Sequence, residues 1–101
     1  MIVYNVTAKV TWAINDAFVA WMKQVHIPEV LATGLFFEYR MLRLLETDET
    51  EGPTYAIQYT ARTPEDYNRY ISENAPQLRQ KVLDKWGDQY LAFRSVLQVV
   101  N

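Results

Sequence analysis

The spacing of apolar side chains changes period four times along this chain of 101 residues, and that succession limits its fold more than any single residue does. From Ile2 to Trp12 the alternation is strict. Ile2, Tyr4, Val6, Ala8, Val10 and Trp12 share one parity, and Val3, Asn5, Thr7, Lys9 and Thr11 share the other. A period of two carried by β-branched and aromatic residues specifies a strand with one core face. Beyond it Ile14, Phe18, Trp21, Met22 and Val25 recur every three or four residues, the stripe of an amphipathic helix. Pro28 disfavours helical backbone at Ile27, so a break or kink is expected near His26. A short turn then runs through Leu31, and Gly34 stops it.

Residues 35 to 46 form a second strand-like run, and Asp48 to Pro53 an acidic hairpin tip. That tip is expected to be dispensable for folding, because its composition is polar and loop length adds slowly to closure entropy. Thr54 to Arg62 is a third strand with Tyr55, Ile57, Tyr59 and Ala61 on one side. Thr63-Pro64-Glu65-Asp66 combines a hydroxyl cap, a first-turn proline and acids that suit the positive end of a helix. Tyr67, Tyr70, Ile71, Leu78, Val82 and Trp86 follow at helical spacing, with a kink expected at Pro76 and an end at Gly87. Tyr90 to Val100 returns to alternation. The order strand, helix, strand, strand, helix, strand specifies one α+β domain over residues 1–101: a ferredoxin-like split βαβ fold, with a four-stranded antiparallel sheet and two helices on one face.

The sets Ile2/Tyr4/Val6, Tyr55/Ile57/Tyr59 and Leu91/Phe93/Leu97 are expected to face the helices. The opposite face then collects Val3, Asn5, Thr7, Ala56, Gln58, Thr60, Ala92, Arg94, Val96 and Gln98. To these the second strand adds either Phe36, Glu38, Arg40, Leu42 and Leu44 or Phe37, Tyr39, Met41, Arg43 and Leu45. Either choice leaves large apolar groups where no helix reaches, and monomers rarely expose such a patch. A homodimer through the open sheet face follows, and Val96→Glu is expected to dissociate it. Strand residues Glu38, Arg40, Arg43 and Arg94 are expected to pair with groups across that interface, with an anion site as the alternative.

Composition removes several functions. Ten basic and twelve acidic residues give a net charge of −2, which suits a phosphate backbone poorly. The stretch Tyr55-Ala56-Ile57-Gln58-Tyr59 is superficially similar to the third-strand signature of RNA-recognition modules. Its rings, however, share the helix-facing parity of Tyr4, and the open face is expected to offer no ring to stack a base. No nucleic acid partner is expected. The absence of cysteine excludes disulfides, thiolate metal sites and thiol catalysis, and a single histidine leaves no metal cluster. No signal peptide and no apolar stretch of about 20 residues is visible, so a soluble, cytoplasmic protein with no membrane partner is expected. No cofactor is implied.

The segment Trp21-Met22-Lys23-Gln24-Val25-His26-Ile27-Pro28-Glu29-Val30-Leu31-Ala32-Thr33-Gly34, followed at once by a strand, resembles the His-x-Pro segment after the first helix of EthD-like and related dimeric α+β barrel proteins. Taken through Tyr67-Asn68-Arg69-Tyr70 and Lys85-Trp86-Gly87-Asp88, nearly the whole chain is similar to a bacterial family of this length catalogued as a domain of unknown function. The resemblance implies a ferredoxin-like fold and a dimer whose sheets face each other. It implies no activity, since barrels of this kind host cofactor-free monooxygenases, lactone isomerases, haem-degrading enzymes and proteins without known chemistry.

His26 is the candidate catalytic residue, as the one side chain whose ordinary pKa lies near neutrality. The plainer alternative is that it caps the end of the first helix, which the helix dipole also favours. Trp21, Tyr39, Tyr67 and Trp86, with Phe18 and Tyr70, are candidate ligand-binding residues between helices and sheet, although ordinary core packing explains the same rings. Two functions remain: a structural or interaction protein, slightly favoured, and a small-molecule-binding protein or cofactor-free enzyme.

Overall fold

In the computed structural model, which describes residues 1–101, four strands form one antiparallel sheet: β1 (Ile2–Val10), β2 (Glu38–Arg43), β3 (Thr54–Ala61) and β4 (Tyr90–Gln98). Their spatial order is β2-β3-β1-β4. Helices α1 (Asn15–Trp21) and α2 (Ile27–Ala32) follow β1, and α3 (Pro64–Glu73) and α4 (Ala75–Trp86) follow β3. This is the βαββαβ arrangement that the periodicity specifies. Tyr4 pairs with Tyr59 and Val6 with Ile57, so both strands turn the same apolar parity toward the helices. Tyr4, Ala8, Val10, Phe18, Ile57, Tyr59 and Tyr70 are the heart of the core beneath them.

Thr63 caps α3 by accepting a hydrogen bond from the Asp66 N–H at 3.1 Å. The kink expected near Pro76 lies at Asn74, between α3 and α4, and Gly87 ends α4 at φ 57°. The break or kink expected near His26 takes the form of an irregular turn rather than an end of the helix. Residues Met22–His26 form a π-helical turn that joins α1 to α2, and the Ile27 N–H donates to the Met22 carbonyl five residues back. Ile27 keeps helical dihedrals despite the following proline. The wider turn adds one residue just ahead of the ring that has no N–H to donate. It also displaces the expected stripe: Val25 is exposed, and His26 takes the inward position.

The parity of β4 differs from the one expected. Tyr4 pairs with Val96 and Val6 with Arg94, which turns Tyr90, Ala92, Arg94 and Val96 toward the helix side. Leu91, Phe93 and Leu97 lie on the open face opposite Lys9, Thr7 and Val3. Val96 is therefore not the central interface position that the alternation picked. The open face also does carry a ring, Phe93. On β2, Glu38, Arg40 and Leu42 share this face, because Tyr39, Met41 and Arg43 pair with the helix-facing Tyr59, Ile57 and Tyr55. Phe36 precedes the strand and is buried against Tyr4, Tyr59 and Tyr70.

The hairpin tip is packed rather than free. Val10 N–H donates to Pro53 O at 3.2 Å and Trp12 N–H to Glu51 O at 3.1 Å. The Trp12 indole donates to Glu49 O at 2.8 Å, and Arg43 forks onto the Glu49 carboxylate at 2.7 and 3.1 Å. Pro53 is fully buried. The expectation that the tip is dispensable fails because its backbone, not its polar side chains, closes the end of β1. No helix is long and apolar enough to cross a membrane.

Candidate functional site

His26 owes its position to the π turn. In a regular helix Val25 and His26 would straddle the inward stripe after Met22; the extra residue of the π turn rotates His26 fully inward, where it is 9% exposed, and leaves Val25 exposed. Trp21 stacks on its ring at 5.3 Å and 19°, and Trp86 meets Trp21 edge-on at 5.9 Å. Nδ1 of His26 is buried without a hydrogen-bond partner. No side chain caps the end of the π turn, so the capping role is not the one His26 plays.

Burial is the main force on its charge state. It pulls the His26 pKa down to about 4, against the opposing pull of Glu29 and with help from Arg94 and Lys81. The folded-state pKa thus lies below the unfolded one, and between them the unfolded chain binds a proton that the native chain refuses. Stability from His26 is complete above pH 6.5 and is lost as the pH falls toward 4. The loss should approach about 3 kcal/mol. In thermal melts from pH 7 to 4, His26→Gln should lose correspondingly less stability than the natural chain. Parallel curves would show that the imidazole is not buried neutral.

His26 opens onto a cavity of about 20 Å³ between the helices and the sheet, also lined by Tyr4, Phe18, Tyr59, Tyr70, Arg79, Tyr90 and Arg94. That volume holds one water-sized group. Arg79 Nη2 and Arg94 Nε both donate to the Tyr4 hydroxyl oxygen, at 2.9 and 3.0 Å. The Tyr59 hydroxyl and Arg79 Nε are buried without partners. Burial pushes the Tyr59, Tyr70 and Tyr90 hydroxyls up, so all three keep their protons at neutral pH and can donate. No group of His, Asp or Glu side chains stands close enough together to hold a metal ion.

The residues singled out in the sequence divide in two. His26, Trp21 and Trp86 form one cluster, and Tyr67 packs on the Tyr4 ring at 5.8 Å. Tyr39 lies on edge strand β2, more than a third exposed and away from the cavity. The polar members Arg79 and Tyr59 were missed, and Arg94 was named as a candidate anion-site residue only as the alternative to an interface role. Arg94 was assigned to the interface through the parity error, while Arg43 satisfies Glu49 within its own hairpin. Arg79 stands three residues before Val82 and seven before Trp86, on the edge of an apolar stripe. That spacing was the available signal.

Comparison with known proteins bears out both resemblances. The family model described as a domain of unknown function (DUF4286) matches residues 1–100. No curated protein matches the chain in sequence. Among solved structures, a dimeric ferredoxin-like protein from an uncultured marine organism superposes with a TM-score of 0.72 at 14% identity, covering 99% of this chain and 95% of its own. An EthD family protein from Bacillus halodurans gives 0.72 at 11% identity, covering 99% and 100%. SnoaB, a cofactor-independent oxygenase from Streptomyces nogalater, gives 0.70 at 10% identity, covering 99% and 94%. At such identities the likeness establishes the fold alone.

Proposed function

The chain belongs to the DUF4286 family, whose description names no activity, and we propose that it is a homodimeric small-molecule-binding module, paired through its uncovered sheet face, with the ligand site between helices and sheet. The observation that carries the binding reading is His26: a buried imidazole that neither caps a helix nor bonds another group, facing a cavity with a second orphaned donor, Tyr59. Buried polar atoms without partners cost free energy, and a ligand that bonds them recovers it. A purely structural protein, slightly favoured from the sequence, gains nothing from this arrangement. Proton-transfer catalysis is served less well than binding, since an imidazole with a pKa of about 4 is a weak base at neutral pH.

The dimer is supported by the exposure of Leu91 and Phe93, 70% and 68%, on a face that no helix covers. The neighbour described as dimeric has the same fold. A cytoplasmic setting goes with this reading, because a domain that holds its core without disulfides needs no oxidising compartment. The reading calls for no cofactor, nucleic acid or membrane.

A thermal-shift series of small aromatic acids and their neutral amides tests it. A ligand at ten times its Kd adds about 1.4 kcal/mol, several degrees in a domain of this size. His26→Gln should remove most of any such shift. A shift of the same size in the variant would place the ligand elsewhere.

A further inference from the structure

We propose that the ligand group this cavity recognises is a carboxylate, held by Arg79 and Arg94 on either side of the Tyr4 hydroxyl; this deepens the small-molecule reading above and rests on it. The two guanidinium groups approach the same oxygen at 2.9 and 3.0 Å, so their bonded nitrogens stand no more than about 6 Å apart. Two cations at that separation repel unless an anion lies between or beside them.

The chain supplies none. No aspartate or glutamate lines the cavity. The three ion pairs are Arg43–Glu49, Arg69–Glu73 and Lys81–Glu29, and they leave both arginines out. Glu29, the acid that acts on His26, is held by Lys81 at 2.6 Å. A neutral phenol oxygen has only two lone pairs, and both are taken by these donors. Arg79 Nε then remains buried without an acceptor, beside the orphaned His26 Nδ1 and Tyr59 hydroxyl. An overall net charge of −2 makes this local positive excess more pointed.

Planarity and size select among anions. A guanidinium fork matches a flat carboxylate with parallel hydrogen bonds. The walls are the rings of Tyr4, Phe18, Tyr59, Tyr70 and Tyr90, which suit a flat organic acid better than a fully hydrated inorganic anion. Arg94 is solvent-exposed, so the remainder of the ligand lies at its end of the cavity. The chemistry is that of a monoanionic organic acid rather than of free phosphate.

Calorimetric titration of the intact protein with benzoate, benzamide and inorganic phosphate separates these cases. Benzoate should bind at least about tenfold more tightly than benzamide, and the preference should shrink in about 0.5 M salt. Arg94→Gln and Arg79→Gln should each weaken benzoate binding at least about tenfold and abolish its preference over benzamide. Should Arg79→Gln fail to fold, the Arg79 Nε–H resonance of the natural chain gives the same answer: benzoate should shift it and slow its exchange. Equal affinity for benzoate and benzamide, tighter binding of phosphate, a silent Arg79 Nε–H, or no benzoate binding would each overturn the carboxylate assignment. Benzamide binding that His26→Gln weakens would leave the small-molecule reading standing without it. Absence of binding by every compound would remove both.

Discussion

Phe93→Glu should turn the dimer into a monomer. Sedimentation equilibrium of the natural chain should give twice the 11.9 kDa chain mass, and the variant the single mass. The side chain stands on the open face, 68% exposed in the isolated chain, between Leu91 and Ser95 with Leu97 one step beyond. Glutamate there costs the folded monomer almost nothing, since water already reaches the site. In the dimer it buries an unpaired carboxylate from each copy, at about 3 kcal/mol or more each, which weakens association at least about a hundredfold. Phe93→Leu should remain dimeric. If Phe93→Glu sediments like the natural chain, the two copies do not meet on this face.

Gly52→Ala should lower the thermal midpoint by roughly 12–24 °C, the consequence of about 3 kcal/mol in a domain of this size. A Cβ at Gly52 would overlap the Val10 carbonyl oxygen, with the carbonyl carbon at 2.7 Å and Thr11 Cα at 3.0 Å. These are backbone atoms of the last sheet residue and its neighbour, and they cannot swing aside as a side chain would. The packed tip must lift away, taking with it the Val10 to Pro53 and Trp12 to Glu51 hydrogen bonds. Gly34→Ala is the control. Its φ of 78° disfavours alanine, but open space surrounds it, and about 1 kcal/mol should be lost. Equal melting of the two variants would mean that the tip yields freely.

The fold was legible because β1 and β3 each have one face under helices, so Tyr4, Val6, Ile57 and Tyr59 alternate against Asn5, Thr7, Gln58 and Thr60. On β4 the same rule inverts. Leu91, Phe93 and Leu97 are more apolar than Tyr90, Ala92 and Arg94, yet they point away from the helices. An apolar face that awaits a partner is indistinguishable in a single strand from one that faces the core. The parity comes instead from pairing with β1, some ninety residues distant in the chain. The hairpin tip misled for a related reason: Asp48, Glu49 and Glu51 are solvent residues by type, whereas the close contacts belong to Gly52, Pro53 and the backbone. His26 was legible as a chemical group but not as a direction, because a period of 3.6 puts Val25 on the stripe. Arg79 and Arg94 come together only when α4 lies over β4, and no local spacing records that meeting.

The π turn at Met22–His26 also bears on how such a site arises and disappears. It differs from an ordinary helical turn by one residue, so a single in-frame codon separates the two. Deleting the codon for Lys23, Gln24 or Val25 would leave the strands, their pairing and the covered sheet face intact, and would set the imidazole at ordinary helical spacing, three residues after Met22. Ancestry along this fold can therefore gain or shed the π turn beside the histidine in one genetic event. Chains that share the scaffold across its full length need not share the cavity's chemistry, and the register between Trp21 and Pro28 is where two relatives should first be compared.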